Sequence, residues 1–328
     1  MMPKKIEISH QTIIFIAVFA ISLWVLFQIR QIIFGLFIAV LLMSALNPSV
    51  KRLESLRFPR WLAILAIYIM VLLVFALAIG GIVPPLLDQT STLISDIPDF
   101  FRQFSLWGID EKTISSQLSQ LTSVPINLVK FIAGIFSNLV EILALAVMTF
   151  YLLLERKRLN QHLTSFFGES REKKIEKVID IIETRLGGWI RGQLLLMLAV
   201  GLLNYFGFLV IGLKFALPLA ILAFLFEIIP NIGPIMAAFP AILVALTISP
   251  VHALATAGWC FLVQQLENTI LVPRVMKTAA GVNPLVSILS LAVGLKLAGV
   301  GGALLAIPAF IAIQVVVGEF LSSRKRSG

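Results

Sequence analysis

Residues 215–248 read FALPLAILAFLFEIIPNIGPIMAAFPAILVALTI. Glu227 is the one charged side chain in that stretch. About 20 apolar residues carry a helix across the ~30 Å hydrocarbon core of a bilayer, so the stretch is long enough to enter a membrane and too long for one straight crossing. Its middle, Glu227-Ile-Ile-Pro230-Asn231-Ile-Gly233-Pro234, breaks it. Pro230 and Pro234 remove two backbone donors, and Gly233 permits backbone angles that other residues avoid. Broken backbone at membrane depth survives only where protein buries it or water lines it. The stretch is therefore predicted to be a split or re-entrant hairpin.

Composition extends that reading to the whole chain. Of 328 residues, 59% are hydrophobic and 13% charged, and the mean hydropathy is +1.00. A soluble domain carries about 25% charged residues, so much of this surface faces lipid. The net charge of +9 does not signal nucleic acid, because the basic residues lie between apolar spans rather than in one patch. Cys260, the single cysteine, reads as a small buried hydrophobe and forms no intramolecular disulfide. His10, His162 and His252 are scattered without metal-ligand spacing. No cofactor is expected. Lys4 and Lys5 precede an apolar run without a prompt cleavage site, which predicts a retained first span.

An all-α fold follows: a polytopic transmembrane helical bundle with about eight membrane segments, two of them split or re-entrant hairpins. Residues 1–83 are predicted to hold the N-terminal transmembrane helices. Thr12–Leu46 is divided into a hairpin of two spans near Gln28, Arg30 and Gln31, and Asn47-Pro48 ends it. Trp61–Val83 is a third span closed by Pro84-Pro85. Residues 84–130, with Asp88, Asp96, Asp99, Asp110 and Glu111, form an acidic extracytoplasmic helical segment. Residues 131–154 are a transmembrane helix. Residues 155–191 form a basic cytoplasmic segment with one apolar stripe, Ile175, Val178, Ile179, Ile182, Leu186 and Trp189. That amphipathic helix suits either the membrane surface or another part of the protein. Residues 192–320 form the C-terminal transmembrane core. Its last long stretch, 284–317, is split by Lys296 and by Gly294, Gly299, Gly301 and Gly302. Residues 321–328 are a basic cytoplasmic tail.

Orientation follows from Lys and Arg. With both termini in the cytoplasm, 20 of the 26 basic residues lie on the cytoplasmic side. The expected location is the cytoplasmic (inner) membrane.

Charged groups at membrane depth cost at least ~2.5 kcal/mol on insertion scales, so those that persist are candidates for function. Gln264, Glu267 and Asn268 stand at i, i+3 and i+4 and share one face of a regular helix, with Arg274 two turns on. An ion path and an interhelical hydrogen-bond clamp both fit this stripe. Glu227 beside Pro230, Asn231, Gly233 and Pro234 fits a transport site on a broken helix, or an ordinary turn at the membrane surface. Glu141, after Ser137 and Asn138, and Lys296 are secondary candidates. A weak internal echo joins Gly233…Pro240-Ala241 to Gly301…Pro308-Ala309, as in an inverted pair of hairpins. No metalloprotease, phosphate-loop or Ser-His-Asp signature is present, so no enzyme is expected.

Several segments resemble the autoinducer-2 exporter (AI-2E) transporter family. They are Leu46-Asn-Pro-Ser-Val-Lys-Arg-Leu, Pro59-Arg-Trp-Leu-Ala, Trp189-Ile-Arg-Gly-Gln-Leu, Ile229-Pro-Asn-Ile-Gly-Pro-Ile, Glu267-Asn-Thr-Ile-Leu-Val-Pro-Arg-Val-Met and Asn283-Pro-Leu-Val-Ser-Ile-Leu. The resemblance implies a permease-like homo-oligomer with eight transmembrane segments. It implies export of small molecules, autoinducer-2 in some members, while others resemble sodium(lithium)/proton antiporters. Lys296 departs from the family pattern. The expected function is secondary active transport: export of a small solute, or exchange of Na⁺ or Li⁺ for H⁺. An oligomeric channel-like pore and a non-transporting scaffold stay open. The expected partners are membrane lipid, a small solute or monovalent cation, and further copies of the chain.

Overall fold

The computed structural model describes residues 10–105, 138–159, 164–165, 169–230, 232–276 and 284–325. The described residues are helical throughout, without strands. In chain order the helices are α1 (His10–Gln28), α2 (Arg30–Ser55), α3 (Arg60–Ser105), α4 (Leu139–Glu155) and α5 (Glu169–Ile211). They continue as α6 (Ala216–Phe226), α7 (Gly233–Leu246), α8 (Pro250–Leu266), a π-turn (Glu267–Leu271), α9 (Val272–Val275) and α10 (Pro284–Lys325).

Five helices are long and apolar enough to cross a membrane: α1, α2, Arg60–Leu77 of α3, Glu172–Ile211 of α5 and Leu285–Glu319 of α10. α1 has no buried residue. In water its exposed Phe15, Trp24 and Phe27 would be an aggregation surface; in lipid they are an ordinary exterior. These features make the chain a multi-pass membrane protein.

Both long C-terminal stretches are hairpins. α6 and α7 hold 11 and 14 residues. At ~1.5 Å per residue neither reaches across ~30 Å. They turn at 227–232, where a Cβ on Gly233 would stand 1.9 Å from the Phe226 carbonyl oxygen. α10 folds at Ala298 and Gly299, and Gly299 has φ +60° and ψ −147°. A Cβ on Gly302 would stand 2.1 Å from the Gly294 oxygen, so the two limbs touch at backbone level. The hairpins meet: Ile229, at the turn of the first, packs on Leu291, Ala303 and Ala306 on the limbs of the second.

Four boundaries differ from the sequence reading. The break at Ile29 is not a hairpin. Ile29 N–H donates to Val25 O at 2.9 Å and Ile33 N–H to Ile29 O at 3.1 Å, so the helical ladder runs across it. The cytoplasmic placement of the N-terminus rested on a return at this point.

The second difference is Pro48, which lies inside α2 and does not end it. A proline in a helix interior costs about 3 kcal/mol, because the carbonyl four residues back loses its donor and meets the ring. That carbonyl belongs to Ser44. Arg191 of α5 replaces the donor: its Nη1 donates to Ser44 O at 3.2 Å and to Ala45 O at 3.0 Å. Third, α3 runs on through Pro84-Pro85 to Ser105. Its 46 residues at ~1.5 Å each exceed the hydrocarbon core about twofold, so the helix projects beyond it. The rest of the acidic segment, including Asp110 and Glu111, lies outside the described residues.

Fourth, the basic amphipathic segment has no boundary at 191: it is the first half of α5, continuous with the span that follows. Of the two placements left open, its stripe takes the one on protein: Leu186, with Ile182 and Trp189, meets Leu41 of α2 and Ile307 and Ile311 of α10. The same face carries a polar seam. Glu183, Gly187 and Arg191 stand four residues apart and face Ser44–Asn47 of α2. A Cβ on Gly187 would stand 2.1 Å from Ser44 O. Glu183 accepts from Asn47 Nδ2 and, at 2.6 Å, from Arg156 Nε. Arg156 also pairs with Asp180. Arg60 donates to Leu153 O at 2.7 Å, to Glu54 at 2.7 Å and to Asn47 Oδ1 at 3.1 Å. Four helices are thereby tied at one end of the bundle.

Candidate functional site

Glu227 caps the C-terminal end of α6, its N–H still bonded to Ala223 O at 3.1 Å. The chain then leaves helical geometry until Gly233. Glu267 opens the π-turn, in which Val272 N–H reaches back five residues to Glu267 O. Pro273 follows and offers no donor to Thr269 O, which favours the wider turn. Single π-turns inside helices occur frequently at functional sites.

These two irregularities bring the glutamates together. Glu227 is 0% exposed and Glu267 3% exposed, and their side chains are in contact. Gln264 Nε2 donates to Glu267 Oε2 at 3.3 Å. Both Glu227 carboxyl oxygens are buried and have no donor outside the pair. No ion pair among the described residues reaches either glutamate. Two adjacent buried carboxyl groups cannot both stay ionised in a low dielectric, so the pair is neutralised by a proton or by a bound cation.

Glu267 also faces a small cavity of about 20 Å³, shared with Asn204, Pro234, Cys260 and Gln264. That is room for one water molecule. Asn204 is anchored by Nδ2–H to Val200 O at 3.0 Å.

Of the residues singled out by sequence, the structure gathers Glu227, Gly233, Pro234, Gln264 and Glu267. Pro230 shapes the tip; Asn231 lies outside the described residues. Asn268 is exposed. Its expected place beside Gln264 and Glu267 assumed regular α-helical spacing, and the π-turn changes the register at that point. Arg274 is exposed on α9, Glu141 is exposed in the first turn of α4, and Lys296 is exposed near the tip of the α10 hairpin. None of the three joins the pair.

Two buried residues escaped sequence reasoning. Gln193 is 3% exposed and its Nε2 donates to the Glu227 main-chain oxygen at 2.6 Å. Asn204 lies on the same helix, further along the same span. Their signal was present: each is a polar residue in an otherwise apolar run. Among the described residues, no group of three His, Cys, Asp or Glu side chains is placed to hold a metal ion.

A multi-pass helical bundle with two broken hairpins meeting beside buried carboxyl groups has the build of a membrane transport protein. Comparison with known proteins gives that class a family. The chain matches the AI-2E family transporter pattern over residues 13–322 and belongs to that family. YueF of Bacillus subtilis is 28% identical over 309 residues, 87% of this chain and 83% of its own length. MT0215 of Mycobacterium tuberculosis is 30% identical over 329 residues, 93% of this chain and 89% of its own. YhhT of Escherichia coli is 36% identical over 115 residues, about a third of each chain. All three carry provisional names as transport proteins.

Proposed function

We propose that this protein is a secondary active transporter of the cytoplasmic membrane, exporting a small solute or exchanging Na⁺ or Li⁺ for H⁺. The Glu227–Glu267 pair takes up the coupling proton or cation. One observation carries the reading: two buried carboxyl groups touch at a broken helix tip, with no cationic side chain among the described residues paired to either. Binding positive charge relieves their repulsion, and releasing it restores the repulsion. Pro230, Gly233 and Pro234 supply the break. Gln264 orients Glu267.

The basic first half of α5 and the C-terminal tail lie in the cytoplasm, as the distribution of Lys and Arg favours. The working unit is a homo-oligomer in a lipid bilayer.

The test is proton flux. Purified protein is reconstituted in liposomes with a trapped pH dye, and a Na⁺ or Li⁺ gradient is imposed. Wild type is expected to move protons, and Glu267→Gln and Glu227→Gln to move none at equal incorporation. Flux that survives both substitutions would remove the pair from the path. No flux in wild type would remove cation/proton exchange and leave organic-solute export as the form to assay. Unitary currents in a voltage-clamped bilayer would replace the carrier by a channel.

A further inference from the structure

Gln193 occupies a position that a packing role does not account for. It lies on α5, a helix that packs against both α6 and the π-turn that carries Glu267. Its neighbour Gly192 sits against Val275 and Met276, in the segment that follows the π-turn. The Gln193 amide itself is held at the α6 end that carries Glu227. Its Nε2 is fixed by the Glu227 main-chain oxygen at 2.6 Å. That contact settles which amide atom is which, since two oxygens would repel. The other atom, Oε1, is buried and accepts no hydrogen bond.

The accounting is one-sided. Gln193 Oε1 is a buried acceptor without a donor, and the Glu227 carboxyl oxygens have no side-chain partner but Glu267 among the described residues. A buried acceptor without a partner costs about 1–3 kcal/mol. The C-terminal end of α6, where Glu227 sits, adds partial negative charge of its own. Donor-poor oxygens at a helix C-terminus are complementary to a small monovalent cation. Cations of that kind are held in membrane transporters by carboxylates and neutral oxygens at helix breaks.

We propose that Gln193 supplies the neutral oxygen of a monovalent-cation site completed by Glu227 and Glu267. Its Nε2 holds the α6 tip in place, and its Oε1 is a ligand. The proposal rests on the coupling role given to the pair above, and it deepens that role by making a dehydrated cation, not only a proton, the occupant.

The experiment is thermal unfolding of the full-length protein in detergent. NaCl and LiCl are titrated against choline chloride at constant ionic strength. Wild type is expected to be stabilised by Na⁺ or Li⁺ and not by choline. Glu227→Gln and Glu267→Gln are expected to lose that response. Gln193→Leu is expected to raise the half-saturating cation concentration about tenfold or more. If Gln193→Leu does not fold, Gln193→Glu takes its place. It keeps an oxygen ligand and loses the donor to Glu227, so cation stabilisation at equal or lower concentration supports the proposal, and its loss overturns it.

Three further outcomes separate the claims. If the glutamate variants lose the response and Gln193→Leu keeps it, Gln193 is a clamp only and the proposal falls while the pair's role stands. If wild type responds to neither cation, the cation site falls, and proton coupling is still decided by flux. If the glutamate variants respond like wild type, both readings fall.

Discussion

The molecule has two buried polar regions, and they are built on opposite plans. At the seam between α2 and α5, charges and their partners match. Glu183 accepts from Asn47 and Arg156, Arg60 donates to Glu54 and Asn47, and Arg191 donates to the carbonyls of Ser44 and Ala45. At the carboxyl pair, acceptors outnumber donors, and no cationic side chain among the described residues is paired with either glutamate. A matched network fixes helices to one another. An unmatched one is neutralised by a proton or by a bound cation. The difference teaches which buried charges are structural: burial alone does not distinguish them, whereas completeness of pairing does.

Breaking the unmatched region should have the largest effect on activity and a small one on folding. Glu267→Gln is expected to reduce cation-driven proton flux at least ~100-fold, since proton transfer groups commonly contribute 10²–10⁴. Membrane abundance should stay near wild type. A variant that failed to accumulate would assign Glu267 to structure.

Breaking the matched region should do the reverse. Glu183→Ala leaves Arg156, which is 12% exposed, with Asp180 as its remaining carboxylate partner, and loosens Asn47. Removing one partner of a buried pair costs about 3–5 kcal/mol, and the remaining exposure here points to the lower end. Thermal unfolding should show the loss, while flux per folded molecule stays close to wild type.

The proline repair offers a sharper test. Arg191→Met removes charged donors from Ser44 O and Ala45 O, at about 1.5–3 kcal/mol. Pro48→Ala gives Ser44 O a backbone donor again. In that background Arg191→Met should cost less than half as much, and a double-mutant cycle measures the difference. Additive costs would mean that Arg191 does not substitute for the missing N–H.

The smallest effects belong to the polar residues that the structure leaves exposed. Asn268→Ala and Arg274→Gln should each change stability by no more than about 0.5 kcal/mol. Their flux should match wild type. A strong transport defect in either, at normal stability, would extend the site beyond the buried pair.

Much of the fold was legible because the membrane restricts what a sequence can do. Apolar runs, the break at Pro230–Pro234 and the glycines of 294–302 each state a local requirement. The helices and both hairpins followed from them. Boundaries at Pro48 and Pro84-Pro85 did not, because a proline ends a helix only when nothing else satisfies the freed carbonyl. At Pro48 the substitute donor comes from Arg191, 143 positions away in sequence. Glu227 and Glu267 were visible singly, as charges in apolar surroundings. The spacing of Asn268 misled, since a π-turn changes the register without a sequence mark as plain as a proline.

By itself, then, the sequence determined the solvent, the helical class and the candidates: hydropathy and charge are additive along a chain and need no partner to be read. Tertiary structure alone decided that the two glutamates touch, that Gln193 reaches Glu227, and that Arg191 reaches the carbonyl left free by Pro48. Each of those facts is a meeting between residues 34 or more positions apart. Contact at that separation depends on how helices pack, and packing is set by close approaches such as Gly187 on Ser44 rather than by any local pattern.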